Sequence, residues 1–442
     1  MRPKRASILT WPASTAPGYL VMPAFDYRNG FYHVEDLNLR ELAEQFGTPA
    51  FIYSESAIRE AYHHFELAFA DQPHLICYSV KANSNLSILQ LLASMGSGFD
   101  IVSGGELTRV LKAGGNPKKI VFSGVGKTQE EISQALSIGI HCFNIESEEE
   151  LTKIEKVASA LGIVAPISLR VNPDVDPKTH PYISTGLKQS KFGIPTEIAL
   201  RLYQQADQSA ALNIIGMNCH IGSQITELAP FTDALIKLLE LVDALTQKGI
   251  FMEHIDIGGG MAVQYQNEDS VAIADLAEAI TELMSGRPQK ILLEPGRSLV
   301  ANAGILLTQV IYVKENSGQN FAIIDAAMND FIRPALYKAW HNVLPIIQFA
   351  EERPEREYEI VGPICESGDF LAKQRRLKIR SGDLLSIQSA GAYGFTMSSN
   401  YNSRGRSAEV LVKGTHAKEI RRRESIEDQM RLESTPSFDS GY

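Results

Sequence analysis

The chain is poor in the features that mark several protein classes. Its four cysteines (Cys77, Cys142, Cys219 and Cys365) are far apart and form no C-x-x-C pair. That argues against a zinc ribbon or a disulfide framework and suits a reducing cytoplasm. Basic residues are outnumbered: 42 Lys and Arg stand against 52 Asp and Glu, a formal net charge of −10. A nucleic-acid role therefore lacks its electrostatic footprint. No apolar run reaches membrane-spanning length, so no membrane partner is expected. The early G-x-G-x-x-G of an open dinucleotide-binding sheet is absent. Gly126-Lys127-Thr128 looks like the end of a Walker loop, but that pattern needs glycine where Val121 stands. No metal ligands are expected.

What is present is an ordinary soluble composition, 44% apolar and 21% charged, in 442 residues. That length implies two domains. The amino terminus carries Arg2, Lys4 and Arg5 with no acid before Asp26. Pro12 and Pro17 interrupt its apolar stretch, so residues 1–24 read as an extension rather than a signal peptide.

Strand-like apolar runs then alternate with segments of helical period. The runs are Ile76–Val80, Phe99–Val102, Lys119–Phe122, Cys142–Ile145, Pro166–Val171, Ile214–Cys219, His254–Ile257 and Ile291–Leu293. Helices are predicted between them, such as Thr128–Ile138, Ser147–Leu161 and Pro230–Lys248. Eight such units predict a (β/α)₈ barrel, with an open doubly wound sheet as the alternative. After Asn302 short alternating runs separated by turn residues predict a second, mainly β domain. The expected division is 25–45 with 303–430 in the β domain, 46–302 in the barrel, and a flexible tail at 431–442. The stretch from Glu419 to Glu433 reads as a solvated helix.

In such a barrel the working residues lie at the carboxyl ends of the strands. Those ends carry Lys81, Asp100, His220 to Ser223, Gly258-Gly259-Gly260 and Glu294-Pro295-Gly296-Arg297. A buried lysine is expected to have a lowered pKa and to act as a nucleophile toward carbonyl compounds. The glycines let backbone N–H groups approach a phosphate, although a tight barrel corner would also require them. Arg297 would add a cationic fork, or form a structural ion pair. Glu294 would hold a protonated ring nitrogen, and His220 by itself reads as a satisfied core histidine. An imine-forming lysine, a phosphate cradle and an acid for a ring nitrogen together describe pyridoxal phosphate.

On these residues the sequence resembles the diaminopimelate decarboxylases, which use pyridoxal 5′-phosphate and share the alanine-racemase-like fold. The motifs are Tyr78 to Asn83 (YSVKAN), Phe99 to Leu107 (FDIVSGGEL), Lys178 to Ile194, His220 to Ile225 (HIGSQI), Asp256 to Gly260, Glu294 to Arg297, Arg333 to Tyr337 (RPALY), Gly362 to Asp369 (GPICESGD) and Gly391 to Tyr393. They cover the chain from about Phe25 to about Asp428.

The resemblance implies that Lys81 carries the cofactor as its imine, that His220 stacks on its ring and that Glu294 pairs with its nitrogen. Ser223, Gly258, Gly259, Gly260, Pro295, Gly296, Arg297 and Tyr393 would surround the phosphate. Arg297, Arg333, Tyr337, Glu366 and Tyr393 would bind substrate, and Cys365 would donate the final proton. Cys365 and Glu366 would come from a partner subunit, which makes the enzyme a homodimer. Lys178 to Ile194 would be a mobile loop. Apart from the family, Arg333 and Tyr337 read equally as a surface pair, and Cys365 as a buried small hydrophobe. The implied reaction is decarboxylation of meso-2,6-diaminopimelate to L-lysine in the cytoplasm. Decarboxylation of another basic amino acid or of carboxynorspermidine, or racemisation, are the alternatives on the same fold.

Overall fold

The structure is a computed structural model that describes residues 24–176, 190–268, 270–348 and 353–436. Most of the Lys178 to Ile194 loop, residues 1–23 of the extension and residues 437–442 of the tail lie outside the described residues.

Eight parallel strands close into a barrel. In chain order they are His74–Ser79, Gly98–Ile101, Ile120–Phe122, Cys142–Ile145, Ala165–Asn172, Leu212–Asn218, His254–Asp256 and Lys290–Leu293. Each pairs with the next, and the eighth returns to the first through Ile291↔His74 and Leu293↔Ile76. The predicted strands agree with these to within a few residues. The helices start where the chain provides caps. Thr128 and Glu131 form a reciprocal capping box at the start of Gln129–Ile138, and Gly139 ends that helix in the left-handed conformation. Ser103 and Ser147 cap the helices after the second and fourth strands by accepting from the Glu106 and Glu150 amides.

The barrel interior is filled. Cys77, Val121, Cys142, Ile215 and Leu292 make a buried cluster contributed by five strands, a packed layer rather than a pore. Lys127 of the rejected Walker-like stretch is structural. Its ammonium is buried and donates to Gly124 O, Asn144 O and Glu150 Oε1, so all three of its protons are used.

The second domain is built on the long strand Gly304–Asn316. Its first half pairs with Ala50–Ser54 and Leu384–Ile387, and its second half with Gln319–Ile324. Ala50–Ser54 also runs parallel to Ala408–Lys413. Two expectations need correction. Ala50–Ser54 belongs to the β sheet, so the expected boundary at residue 46 moves to the helix that begins at Glu55. The carboxyl-terminal segment is not one solvated helix. Its start is the edge strand His416–Arg421, and only Ile426–Met430 is helical. An edge strand tolerates charge on both faces, because one side meets water, and that charge imitates an exposed helix in the sequence.

Candidate active site

The first strand ends in a tight turn at Val80–Ala82 that aims Lys81 into the barrel mouth. Its ammonium lies 2.6 Å from Asp100 Oδ2, at the end of the neighbouring strand. Asp100 is wholly buried and also accepts from Ser79 Oγ at 2.8 Å. Burial disfavours the charged amine, but the Asp100 carboxylate paired with it outweighs burial, and the Lys81 pKa rises above the ordinary lysine value. This corrects the expectation of a neutral amine. Before cofactor binds, the lysine is the cation of a salt bridge.

Opposite Lys81, Glu294 and Asp256 share the barrel interior. Burial and the neighbouring Asp100 and Asp256 charges push the Glu294 carboxyl pKa well above the usual range, so it holds a proton and shares it with Asp256. Asn144 Nδ2 reaches both carboxyl groups, at 3.3 Å to Glu294 and 3.4 Å to Asp256. Asp256 in turn accepts from the Gly258 amide at 2.8 Å. His220 accepts from the Gly259 amide through Nδ1 at 3.2 Å. Burial, with Arg170 and Lys81 nearby, lowers its pKa and keeps it neutral. The glycines are sterically required. A Cβ at Gly259 would lie 2.1 Å from Glu294 O, and one at Gly260, where φ is +110°, 2.3 Å from Gly222 O.

The anion-binding side is built by two arginines. Arg297 donates to Ser223 Oγ at 3.0 Å and to the Tyr265 hydroxyl at 2.8 Å, and its guanidinium lies over the Tyr393 ring at 4.9 Å. Arg333 reaches the same Tyr265 hydroxyl at 3.3 Å and His341 Nε2 at 3.3 Å. Both guanidiniums are buried, so Arg333 is no surface residue, and Tyr337 lies beside it at 5.9 Å. Their hydrogen-bond partners are neutral phenol, hydroxyl and imidazole groups. Among the described residues neither guanidinium has a carboxylate partner, and two such buried cations make an anion site.

The sequence-predicted residues Lys81, His220, Ser223, Gly258, Gly259, Gly260, Glu294, Pro295, Gly296, Arg297, Arg333, Tyr337 and Tyr393 thus converge on one mouth. Cys365 and Glu366 do not join them. Both are exposed on the second domain, where the Cys365 amide donates to Asn402 Oδ1 at 2.9 Å and the Tyr401 hydroxyl donates to Glu366. Cys365 is therefore not the buried small hydrophobe of the alternative reading. Asn144, which assists Glu294, and Tyr265, which joins the arginines, have no distinctive sequence signal, and Asp256 was visible only as part of a motif without a role. Asp100 was visible as a strand end without a role.

A barrel mouth with this lysine, this acid and this paired cation defines a class: a pyridoxal phosphate-dependent carboxy-lyase of the alanine-racemase-like fold. The comparisons agree. The family described as "Pyridoxal-dependent decarboxylase, pyridoxal binding domain" matches residues 55–301. The diaminopimelate decarboxylase of Pseudomonas aeruginosa is 54% identical over 407 residues, covering 92% of this chain and 98% of the relative. A solved diaminopimelate decarboxylase from Helicobacter pylori, complexed with L-lysine, is 45% identical, covers 90% of this chain and 99% of its own, and superposes with a TM-score of 0.86. The chain belongs to the diaminopimelate decarboxylase family. Among the described residues no helix is long and apolar enough to cross a membrane.

Proposed function

We propose that the protein converts meso-2,6-diaminopimelate to L-lysine and CO₂, the last step of lysine biosynthesis. The observation that carries this reading is the pair of buried guanidiniums of Arg297 and Arg333, which have no carboxylate partner among the described residues, in the same barrel mouth as the Lys81–Asp100 pair. A cofactor phosphate and a substrate carboxylate are the anions such a pair would take. The residues fit pyridoxal phosphate. Lys81 is the amine that would hold it, Ser223, Arg297 and the Gly260 amide would meet its phosphate, where Gly258 and Gly259 leave room for it, and protonated Glu294 would face its ring nitrogen.

When bound, the cofactor supplies an electron sink for the pair released as CO₂ departs. The chain's own residues do the rest. Asp256 and Asn144 fix the Glu294 carboxyl, so that its proton is held at the ring nitrogen. Neutral His220 presents an uncharged face to the ring. Arg333 and Tyr337, on one short helix, orient the distal end of a substrate that carries a second carboxylate and ammonium. An analogue lacking those groups would leave the guanidinium buried and unpaired, which disfavours simple diamine precursors. The product reading accords with the L-lysine bound to the Helicobacter pylori relative.

A second copy of the chain supplies the remaining groups. Cys365 Sγ carries the proton that replaces the lost carboxyl, and Glu366 takes the distal ammonium. Their exposure away from the Lys81 mouth supports delivery across a two-fold interface. The free cysteines, three of them buried, accord with a cytoplasmic enzyme.

The test is CO₂ release from meso-diaminopimelate with added pyridoxal phosphate, run beside lysine, ornithine and arginine. Selective release from diaminopimelate, lost together with the cofactor's visible absorption in Lys81→Ala, is expected. Normal turnover in Lys81→Ala, or racemisation without CO₂, would end the reading.

A further inference from the structure

The amino-terminal end of the barrel, opposite the mouth, carries a cluster that the reaction does not use. His141 immediately precedes the fourth strand, Cys142 opens it, and His254 opens the seventh. One ligand atom from each of the three lies within 4.8 Å of the others, the only such group among the described residues. The two imidazole rings are 5.1 Å apart, centroid to centroid.

These groups lack other partners. His254 is 1% exposed, and neither of its ring nitrogens has a hydrogen bond. His141 Nε2 is likewise buried and unbonded. Cys142 Sγ has only a weak contact, 3.8 Å to Asn144 Oδ1. A buried polar atom without a partner costs about 1–3 kcal/mol, so three in one place call for a ligand. The backbone makes room for the arrangement. Gly216 packs against the His254 ring, and a Cβ there would sit 2.1 Å from Nε2.

We propose that His141, Cys142 and His254 bind one divalent transition-metal ion of the zinc class at the floor of the barrel. Two imidazoles and a thiolate are the donors that zinc prefers, with water completing the tetrahedron. Tetrahedral bond lengths place such donors roughly 3.3–3.8 Å apart, so side-chain shifts of about 1 Å close the site. Burial, helped by the Lys118 and Lys290 charges that face His141, favours neutral imidazoles, the form that ligates. On binding, the Cys142 S–H bond is replaced by an S–metal bond and the proton leaves to solvent past partly open His141. The thiolate offsets half of the ion's charge; burial, and after it the neighbouring Asp256 and Glu294, push the Cys142 thiol pKa up, so the thiolate forms only as the ion binds. Because the ion would tie the fourth strand to the seventh across the floor, its role is structural.

The experiment uses the full-length holoenzyme, stripped with a chelator and titrated with Co²⁺. Expected are one equivalent bound per chain, thiolate-to-cobalt charge transfer and tetrahedral ligand-field bands to the red of the cofactor's absorption, all displaced by Zn²⁺. Cys142→Ser should remove the charge-transfer band. His141→Ala, which is partly exposed and remote from the mouth, should weaken binding at least about tenfold with decarboxylation retained. No stoichiometric uptake, or bands that survive in both variants, would overturn the proposal. If Cys142→Ser does not fold, undiminished cobalt affinity in His141→Ala overturns it.

Discussion

The Tyr393 amide donates to the carbonyl of Ala82 at 2.8 Å, so the second domain is fastened directly to the turn that carries Lys81. Tyr393 adopts φ +56° to do this, a conformation that a bulky side chain seldom holds. Asn83 adds a second tie, from Nδ2 to Gly391 O at 3.2 Å, and its Oδ1 accepts from the Asn85 amide. Asn83→Ala removes both contacts from a buried position. It should cost about 1–3 kcal/mol in denaturant unfolding and lower kcat through misplacement of the lysine turn. Unchanged unfolding and unchanged kcat would show that the tie is passive.

Asp100 is expected to govern how readily Lys81 reacts. The carboxylate holds the lysine protonated, and imine formation needs the free amine. With Asp100→Asn the Lys81 pKa falls, because burial then acts against less opposing charge. The pH midpoint for cofactor loading of the apoenzyme, followed by visible absorption, should move to lower pH. A midpoint that does not move would remove Asp100 from this role.

The proposed sharing of sites between subunits can be read by complementation. Lys81→Ala and Cys365→Ala homodimers should each be inactive or nearly so. Randomly mixed, half of the dimers are hybrids, and each hybrid has one site free of both changes. Activity should recover to about a quarter of the wild-type value. Recovery would fail if both residues acted within one chain.

Glu106, beside the mouth, gives a pH dependence with a definite sign. Burial raises its pKa to about 7, with the Val102 amide acting in the other direction. Between the unfolded carboxyl value and 7 the folded state binds more protons than the unfolded state. Stability therefore falls as pH rises through that window. Glu106→Gln should flatten this loss by an amount on the order of 2 kcal/mol, measured as the wild-type-minus-variant difference in unfolding free energy at pH 5 and pH 8. A difference that is constant with pH would contradict the assignment.

The barrel was legible in the sequence because each strand end announces itself. An apolar run stops at a lysine, a histidine, a glycine triplet or an acid–proline–glycine–arginine turn. What escaped depends on contacts between distant segments. Ala50–Ser54 is four apolar residues and a serine, with no local sign of which sheet they join. Tyr265 lies in a polar loop, and only the fold sets its hydroxyl between Arg297 and Arg333. Asp256 was visible as part of a motif, but its shared proton with Glu294 requires the two strands to be neighbours. His141, Cys142 and His254 obey no ligand spacing because they come from two strands three places apart in the barrel. The Lys81 expectation failed for a related reason: the desolvation was foreseen, and the counter-charge one strand away was not.

The pairing of Ala50–Ser54 with Gly304–Leu307 and Ala408–Val412 has a consequence for biogenesis. This strand leaves the ribosome before any of the barrel, and its mates leave after all of it. At roughly 5–20 residues per second, it waits on the order of ten seconds or more as an unmatched greasy ribbon. Nascent-chain chaperones therefore have one obvious place to hold.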